Sequence, residues 1–142
     1  MKLISLILAA LFTLIALPKL ASTHSQQKPE ELAQAAAESW LALTDSGKYG
    51  ESWEQASSTF RGAVSKDTWV TQLTNVRTPL GKVQSRKLTS ARYVKDPPNS
   101  PAGEYVVIRY ATDFESKPDS VETVAMFLDK DAKWRTTGYF IK

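Results

Sequence analysis

The spacing of apolar residues changes at Gly81, and this change constrains the fold more than any other feature of the sequence. Before Gly81, apolar residues recur every three or four positions, which predicts helices over Glu30–Thr44, from Tyr49 to Phe60, and after Ser65. After Gly81 the apolar residues alternate, which is typical of strands. The predicted strands are Val83–Val94, Glu104–Phe114, Val121–Leu128 and Trp134–Ile141.

Helices that precede all strands in sequence predict an α+β fold rather than an alternating α/β fold. We therefore expect about three N-terminal helices packed on a curved antiparallel sheet of about four strands. Such a sheet encloses a cone-shaped interior that is either a pocket or a filled core. The short "DKDA" connection before the last strand favours an antiparallel meander.

Two helices carry predicted core stripes and boundaries. Ser65 is placed to cap the third helix, with Val64 and Trp69 as a hydrophobic staple. Pro79 is expected to bias Thr78 away from helical angles and so end that helix. The first stripe comprises Leu32, Ala36, Trp40 and Leu43, and the stripe of the third helix comprises Trp69, Leu73, Val76 and Leu80.

The N-terminus has the pattern of a secretory signal. Lys2 is followed by an apolar run from Leu3 to Leu17, which is shorter than the roughly 20 residues of a membrane span. We interpret residues 1–23 as a cleaved signal peptide, 24–29 as a linker and 30–142 as one domain. The protein is then periplasmic or secreted. The alternative is a retained N-terminal anchor, the one case in which we expect membrane attachment.

Composition excludes several classes of site. The chain has no Cys, and its single His, His24, precedes the domain, so thiol catalysis and most zinc sites are excluded. The formal charge of +3 includes Lys2 and Lys19 of the signal, so the domain has 3 − 2 = +1. This balance gives no reason to expect a nucleic-acid partner. We expect no metal and no cofactor.

Five stretches resemble the uncharacterised bacterial family DUF4019: "AAESWLAL", "FRGAVSKDTWV", "VRTPLGKVQSRKL", "GEYVVIRY" and "VETV…LDKDAKWRTTGYFIK". The resemblance covers Ala35 to the C-terminus and implies a short exported protein, with no assigned reaction. The ending "WRTTGYFI" also resembles, at the level of fold, the last strand of nuclear-transport-factor-2-like (NTF2-like) proteins. Ala132 stands where the family commonly has Gly, so we expect a turn geometry without a left-handed residue there.

The stretch Val76–Lys87, "VRTPLGKVQSRK", contains four cations, Arg77, Lys82, Arg86 and Lys87. Cations are favoured at a helix C-terminus, whereas phosphate sites prefer helix N-termini and Gly-rich loops. We therefore interpret the stretch as a corner between helix and strand rather than an anion-binding loop. Arg77 and Arg86 remain candidates for side chains that reach inward, either to internal carboxylates or to a bound anion.

Three functional hypotheses follow. The first is a non-enzymatic domain that binds a small molecule or an envelope protein, with Arg side chains holding a carboxylate or phosphate. The second is a homodimer formed through outward-facing Val106, Ile108 and Val124. The third is an acid–base enzyme using Asp113 and Tyr110, although we identify no catalytic motif. The candidate ligand-binding residues are Arg61, Arg77, Arg86, Tyr105, Arg109, Arg135 and Tyr139.

Overall fold

The computed structural model describes residues 26–142, so the predicted signal peptide and His24 lie outside the described residues. Within this range, no helix combines the length and the apolar character needed to cross a membrane. Helices come first and strands follow, as predicted. The elements are α1 Pro29–Asp45, α2 Tyr49–Glu54, α3 Ser58–Ala63, α4 Lys66–Leu80, β1 Val83–Lys95, β2 Glu104–Phe114, β3 Lys117–Leu128 and β4 Trp134–Ile141.

The strands form an antiparallel meander in the order β1-β2-β3-β4, which leaves β1 and β4 as the two edges of an open sheet. Irregularities interrupt the register between Leu88 and Ser90 in β1 and between Ala125 and Met126 in β3. Three of the four predicted strands match within one residue, and β3 begins at Lys117 rather than Val121. The confirmed fold class is α+β.

Helix α1 packs a face of small side chains on the sheet. Ala33 and Ala37 are fully buried beside Trp40 and Leu41, whereas Leu32 of the predicted stripe is exposed. The predicted stripe was therefore displaced by one residue. Alanine lets the helix backbone approach the sheet closely, so the larger Leu32 is left on the rim.

The predicted second helix is two helices. Residues 55–57 separate α2 from α3, and Ser57 caps α3 by accepting a hydrogen bond from the Phe60 N–H. The Ser57 N–H donates to the Thr136 carbonyl of β4 at 2.8 Å. Because Ser57 is tied to the sheet edge in extended geometry, a continuous helix to Phe60 was wrong.

Helix α4 begins as predicted but ends later. Ser65 accepts a hydrogen bond from the Thr68 N–H, which confirms the N-cap. The helix runs through Pro79 to Leu80 and stops at Gly81 (φ 74°), so the predicted break at Thr78 was wrong. Proline has a helical φ, and although Pro79 cannot donate a hydrogen bond to the preceding turn, only Leu80 follows it before the helix ends.

The core lies between the helices and one face of the sheet. Val106, Ile108 and Val124 are fully buried there, so their predicted position on the outer face was wrong. The even-numbered residues of β2 face the helices, because successive side chains of a strand point to opposite sides. Tyr110 and Asp113 consequently lie on opposite faces, as their spacing of three predicts.

The predicted stripe of α4 also needs a correction. Trp69 and Leu73 are buried, but Val76 is 47% exposed. Arg77 takes its place and is only 4% exposed. Trp69, Leu73 and Arg77 are spaced by four, so an arginine continues the buried face of the helix.

Candidate functional site

Polar side chains from six elements meet at one end of the core. We call this set the buried charge cluster, and its members share direct hydrogen bonds across the sheet and the helices. They are Thr44 and Asp45 of α1, Arg77 of α4, Arg86 of β1, Thr112 of β2, Glu122 of β3 and Tyr139 of β4.

Two arginines hold the Asp45 carboxylate. Arg77 donates from Nη2 to Asp45 Oδ1 at 2.9 Å. Arg86 donates from Nη1 to Oδ2 at 2.7 Å and from Nη2 to Oδ1 at 3.0 Å, a bidentate arrangement. Asp45 is the last residue of α1, where the helix dipole disfavours an acid. The two guanidiniums offset that unfavourable position.

Glu122 is the most deeply buried member, with no exposed surface. It accepts hydrogen bonds from Arg86 Nε at 2.7 Å, Arg86 Nη2 at 3.2 Å and Thr112 Oγ1 at 2.6 Å. The Tyr139 hydroxyl donates to the second carboxylate oxygen. These donors come from three different strands, so one carboxylate ties the four-stranded sheet together along the helix-facing side.

The pKa shifts of Asp45 and Tyr139 follow from their burial and from their hydrogen-bond partners in the cluster. Burial alone would raise the pKa of Asp45, but hydrogen bonds from Arg86 and Arg77 hold that pKa below its ordinary value. Burial and the neighbouring Glu122 raise the pKa of the Tyr139 hydroxyl far above its usual range. The cluster contains two arginines and two acidic residues, so its formal charge is 2 − 2 = 0.

Two buried polar atoms near the cluster have no hydrogen-bond partner among the described residues: Arg77 Nε and the Tyr110 hydroxyl. The ring of Phe114 lies 5.2 Å from the Arg77 guanidinium carbon, a cation–π contact. Burial raises the pKa of Tyr110 to about 12. The other guanidinium N–H groups of the two arginines donate to acceptors within the described residues, which are the carboxylates of Asp45 and Glu122 and the hydroxyls of Thr44 and Tyr139. The cluster is therefore occupied by internal partners rather than arranged around a bound anion.

An open groove of about 530 Å³ lies next to the cluster, between α4 and the edge strand β4. Val76 and Phe140 on its walls are 47% and 61% exposed. Lys142 is the only charged side chain among the described residues that line this groove. We call this feature the α4–β4 groove. Its lining comprises Trp69, Gln72, Leu73, Asn75, Val76, Tyr139, Phe140, Ile141 and Lys142.

Comparison with known proteins gives one match. Residues 36–139 match the family model described as "Protein of unknown function (DUF4019)". The chain belongs to the DUF4019 family. No curated protein and no solved structure matches it, so the resemblance to NTF2-like proteins is not confirmed.

Three of the seven predicted ligand-binding residues of this DUF4019 domain come together. Arg77, Arg86 and Tyr139 all belong to the buried charge cluster. Arg77 and Arg86 clamp a carboxylate, but that carboxylate is Asp45 of the same chain. The stretch Val76–Lys87 is a helix-to-strand corner. Two of its four cations, Arg77 and Arg86, point into the buried charge cluster.

The other four predicted residues lie apart. Arg61 is exposed on α3, and Arg109 is exposed on the outer face of β2. Tyr105 packs on Phe127 on that face and donates its hydroxyl proton to the Pro101 carbonyl. Arg135 pairs with Asp131 at 2.6 Å. These residues do not form one pocket.

Sequence reasoning missed Thr44, Asp45 and Thr112 of the DUF4019 domain. One signal was available for Asp45: an acid that ends a helix is unfavourable unless cations lie nearby. A second signal was the spacing of four between Trp69, Leu73 and Arg77, which places a charge on an apolar face. Thr112 gives no such signal, because threonine is common in strands.

Proposed function

We propose that this DUF4019 protein is an exported, non-enzymatic binding domain of the cell envelope, and that its binding site is the α4–β4 groove. The observation that carries the proposal is the exposure of Val76 and Phe140 on the walls of an open apolar groove. Exposed apolar patches on small proteins mark sites of interaction. The groove volume of about 530 Å³ falls within the size of ordinary binding sites.

The side chains considered for catalysis support a non-enzymatic role. Asp113 accepts hydrogen bonds from Ser85 Oγ at 3.0 Å and from the Asp119 N–H at 2.8 Å, so it braces the start of β3. Tyr110 faces the core on the other side of the sheet and holds its proton tightly. An acid–base pair needs both groups within reach of one substrate.

The basic, apolar N-terminus supports export. Lys2 and the run from Leu3 to Leu17 follow the pattern of a secretory signal. An envelope protein without cysteine relies on packing and internal charge pairs for stability, and the buried charge cluster supplies such pairs.

A dye-binding experiment tests the groove. The probe is Nile red, an uncharged dye whose fluorescence rises on exposed apolar surface, so that a lysine does not attract it by charge. Val76→Lys places a cation on the groove wall and should abolish most of the enhancement. Val121→Lys is the matched control, since Val121 is 42% exposed but lies on β3, outside the groove. Equal enhancement in wild type and Val76→Lys would contradict the proposal.

A second candidate function is homodimerisation through the outer face of the sheet. A trough of about 410 Å³ crosses that face, with Val107, Ala125 and Phe140 in its lining. A dimer formed through this face would bury Val107, Ala125 and Phe140, and not Val106, Ile108 and Val124 as predicted. Sedimentation equilibrium tests the hypothesis: Val107→Lys should convert a dimer to a monomer, and a wild-type monomer at high concentration would exclude it.

A further inference from the structure

The free edge of β4 lies along the α4–β4 groove. Lys142 exchanges two backbone hydrogen bonds with Val121 of β3, at 2.9 and 3.0 Å. In an antiparallel pair such hydrogen-bonded positions alternate with positions that point away. Phe140, opposite Thr123, is therefore bonded to β3, whereas the backbone groups of Tyr139 and Ile141 point away from it.

The outward backbone groups of Tyr139 and Ile141 have no partner within residues 26–142. The earlier part of the same edge is already covered, since the Ser57 N–H donates to the Thr136 carbonyl. The uncovered part coincides with the groove, whose lining includes residues 139–142 and the exposed side of α4. Unpaired backbone donors and acceptors on an edge strand are a template for another strand.

We infer that the α4–β4 groove binds an extended peptide segment of a partner protein, which adds to the sheet as a strand beside β4. This inference rests on the proposed function and names the partner's chemistry. Backbone hydrogen bonds to Tyr139 and Ile141 supply affinity, and the apolar walls receive alternate side chains of the peptide. Lys142, the charged side chain among the described lining residues, favours a peptide with an acidic residue at that end.

A second copy of the chain fits the groove less well. Its own free edge lies beside its own α4, so antiparallel pairing of two β4 strands would bring two helices to the same seam. A single extended peptide can form hydrogen bonds with the backbone groups of Tyr139 and Ile141 without bringing a second helix into the groove. The inferred occupant is therefore a peptide of a partner protein. The test distinguishes this peptide from a second copy of the chain that pairs through its own β4.

The test begins with a displayed library of random peptides selected on the full chain, followed by affinity measurements on a selected synthetic peptide. Amide hydrogen exchange of the wild-type protein then reads the contact directly. The Tyr139 and Ile141 amides should exchange about tenfold more slowly with peptide bound. The Phe140 amide is the internal control, because it is bonded to β3 in both states.

A pair of variants gives a second readout. Ile141→Pro removes the outward N–H without removing a bond to β3, a substitution that edge strands tolerate. Ile141→Ala also shortens the side chain but keeps the N–H. Peptide affinity should be about tenfold weaker for Ile141→Pro than for Ile141→Ala.

The outcomes separate the inference from the proposed function. Peptide binding that is lost in Val76→Lys but leaves Tyr139 and Ile141 amide exchange unchanged overturns strand addition and retains the groove as a binding site. Failure to select any peptide, or binding only of a second copy of the chain, likewise overturns the inference, while the dye experiment still reports on the groove. Peptide binding unaffected by Val76→Lys, together with an unchanged dye signal, overturns both.

Discussion

Ala132 has a left-handed backbone, with φ 59°, in the turn between β3 and β4. The sequence led us to expect another turn geometry, and that expectation was wrong. The turn is closed by hydrogen bonds from the Ala132 N–H to the Asp129 carbonyl and from the Asp129 N–H to the Lys133 carbonyl, both 2.9 Å. These bonds, made by a short connection between paired strands, hold alanine in a conformation that it disfavours.

Ala132→Gly should therefore stabilise the protein, by about 0.5–1 kcal/mol, because glycine adopts a positive φ without steric strain. Urea unfolding followed by tryptophan fluorescence measures the change. Asn99→Gly is the control: Asn99 also has a positive φ, 61°, but asparagine tolerates it, so a smaller gain is expected. An Ala132→Gly variant less stable than wild type would contradict the strain argument.

At the scale of elements, Trp69 connects α4 to the rest of the core. Its ring is 8% exposed and packs edge-on against Phe60 at a centroid distance of 5.0 Å. Its indole N–H donates to Ser52 Oγ of α2 at 3.0 Å. One side chain thus joins three helices, and its removal leaves a cavity and takes away the hydrogen bond that Ser52 Oγ accepts, although this hydroxyl still donates to the Tyr49 carbonyl.

We expect Trp69→Ala to reduce the free energy of unfolding by about 3–5 kcal/mol. Denaturant titration monitored by circular dichroism measures the loss. Trp134→Ala serves for comparison, since Trp134 is only half-buried and should matter less. A loss below about 1 kcal/mol for Trp69→Ala would show that this ring is not part of the core.

Element boundaries were predictable to different degrees, for physical reasons. The bounds of β2 and β4 were predicted to the residue because both are dense in β-branched and aromatic side chains between turn residues. The face of α1 was displaced by one residue, because alanine gives little signal of burial. The break after α2 escaped prediction because it depends on the bond from Ser57 to Thr136, 79 positions away (136 − 57).

Across the whole molecule, the buried charge cluster was only partly predictable. Its arginines and Tyr139 were candidates from sequence, and internal carboxylates were among the expected partners of the arginines. The convergence on Asp45 depends on how α1 and α4 dock on the sheet, which no local pattern encodes. Docking brings Asp45 to Arg77 and Arg86, which are 32 and 41 positions away in sequence.

Asp45 also makes stability depend on pH. Its folded pKa is below the ordinary value, so its contribution is present above about pH 4 and is lost as pH falls through the folded pKa. Asp45→Asn should destabilise the protein by about 1–3 kcal/mol at pH 7 and flatten the acid side of the stability profile. Thermal unfolding between pH 2 and 7 measures both.

Asp119→Asn is the matched control, since Asp119 is exposed and its side chain makes no hydrogen bond within the described residues. It should leave the profile close to that of wild type. An Asp45→Asn profile parallel to that of wild type at all pH values would contradict the role assigned to the ion pairs.

The position of Glu122 has a consequence for how the sheet assembles. Sliding β3 by one residue against its neighbours would turn Glu122 to the outer face and bring Thr123 inward, because side chains alternate along a strand. Arg86 would then lose one of its two carboxylate partners, and the hydroxyls of Thr112 and Tyr139 would lose the acceptor they bond to, which is unfavourable for buried polar groups. Glu122 therefore favours the native register of β3 over the registers that are shifted by one residue in either direction.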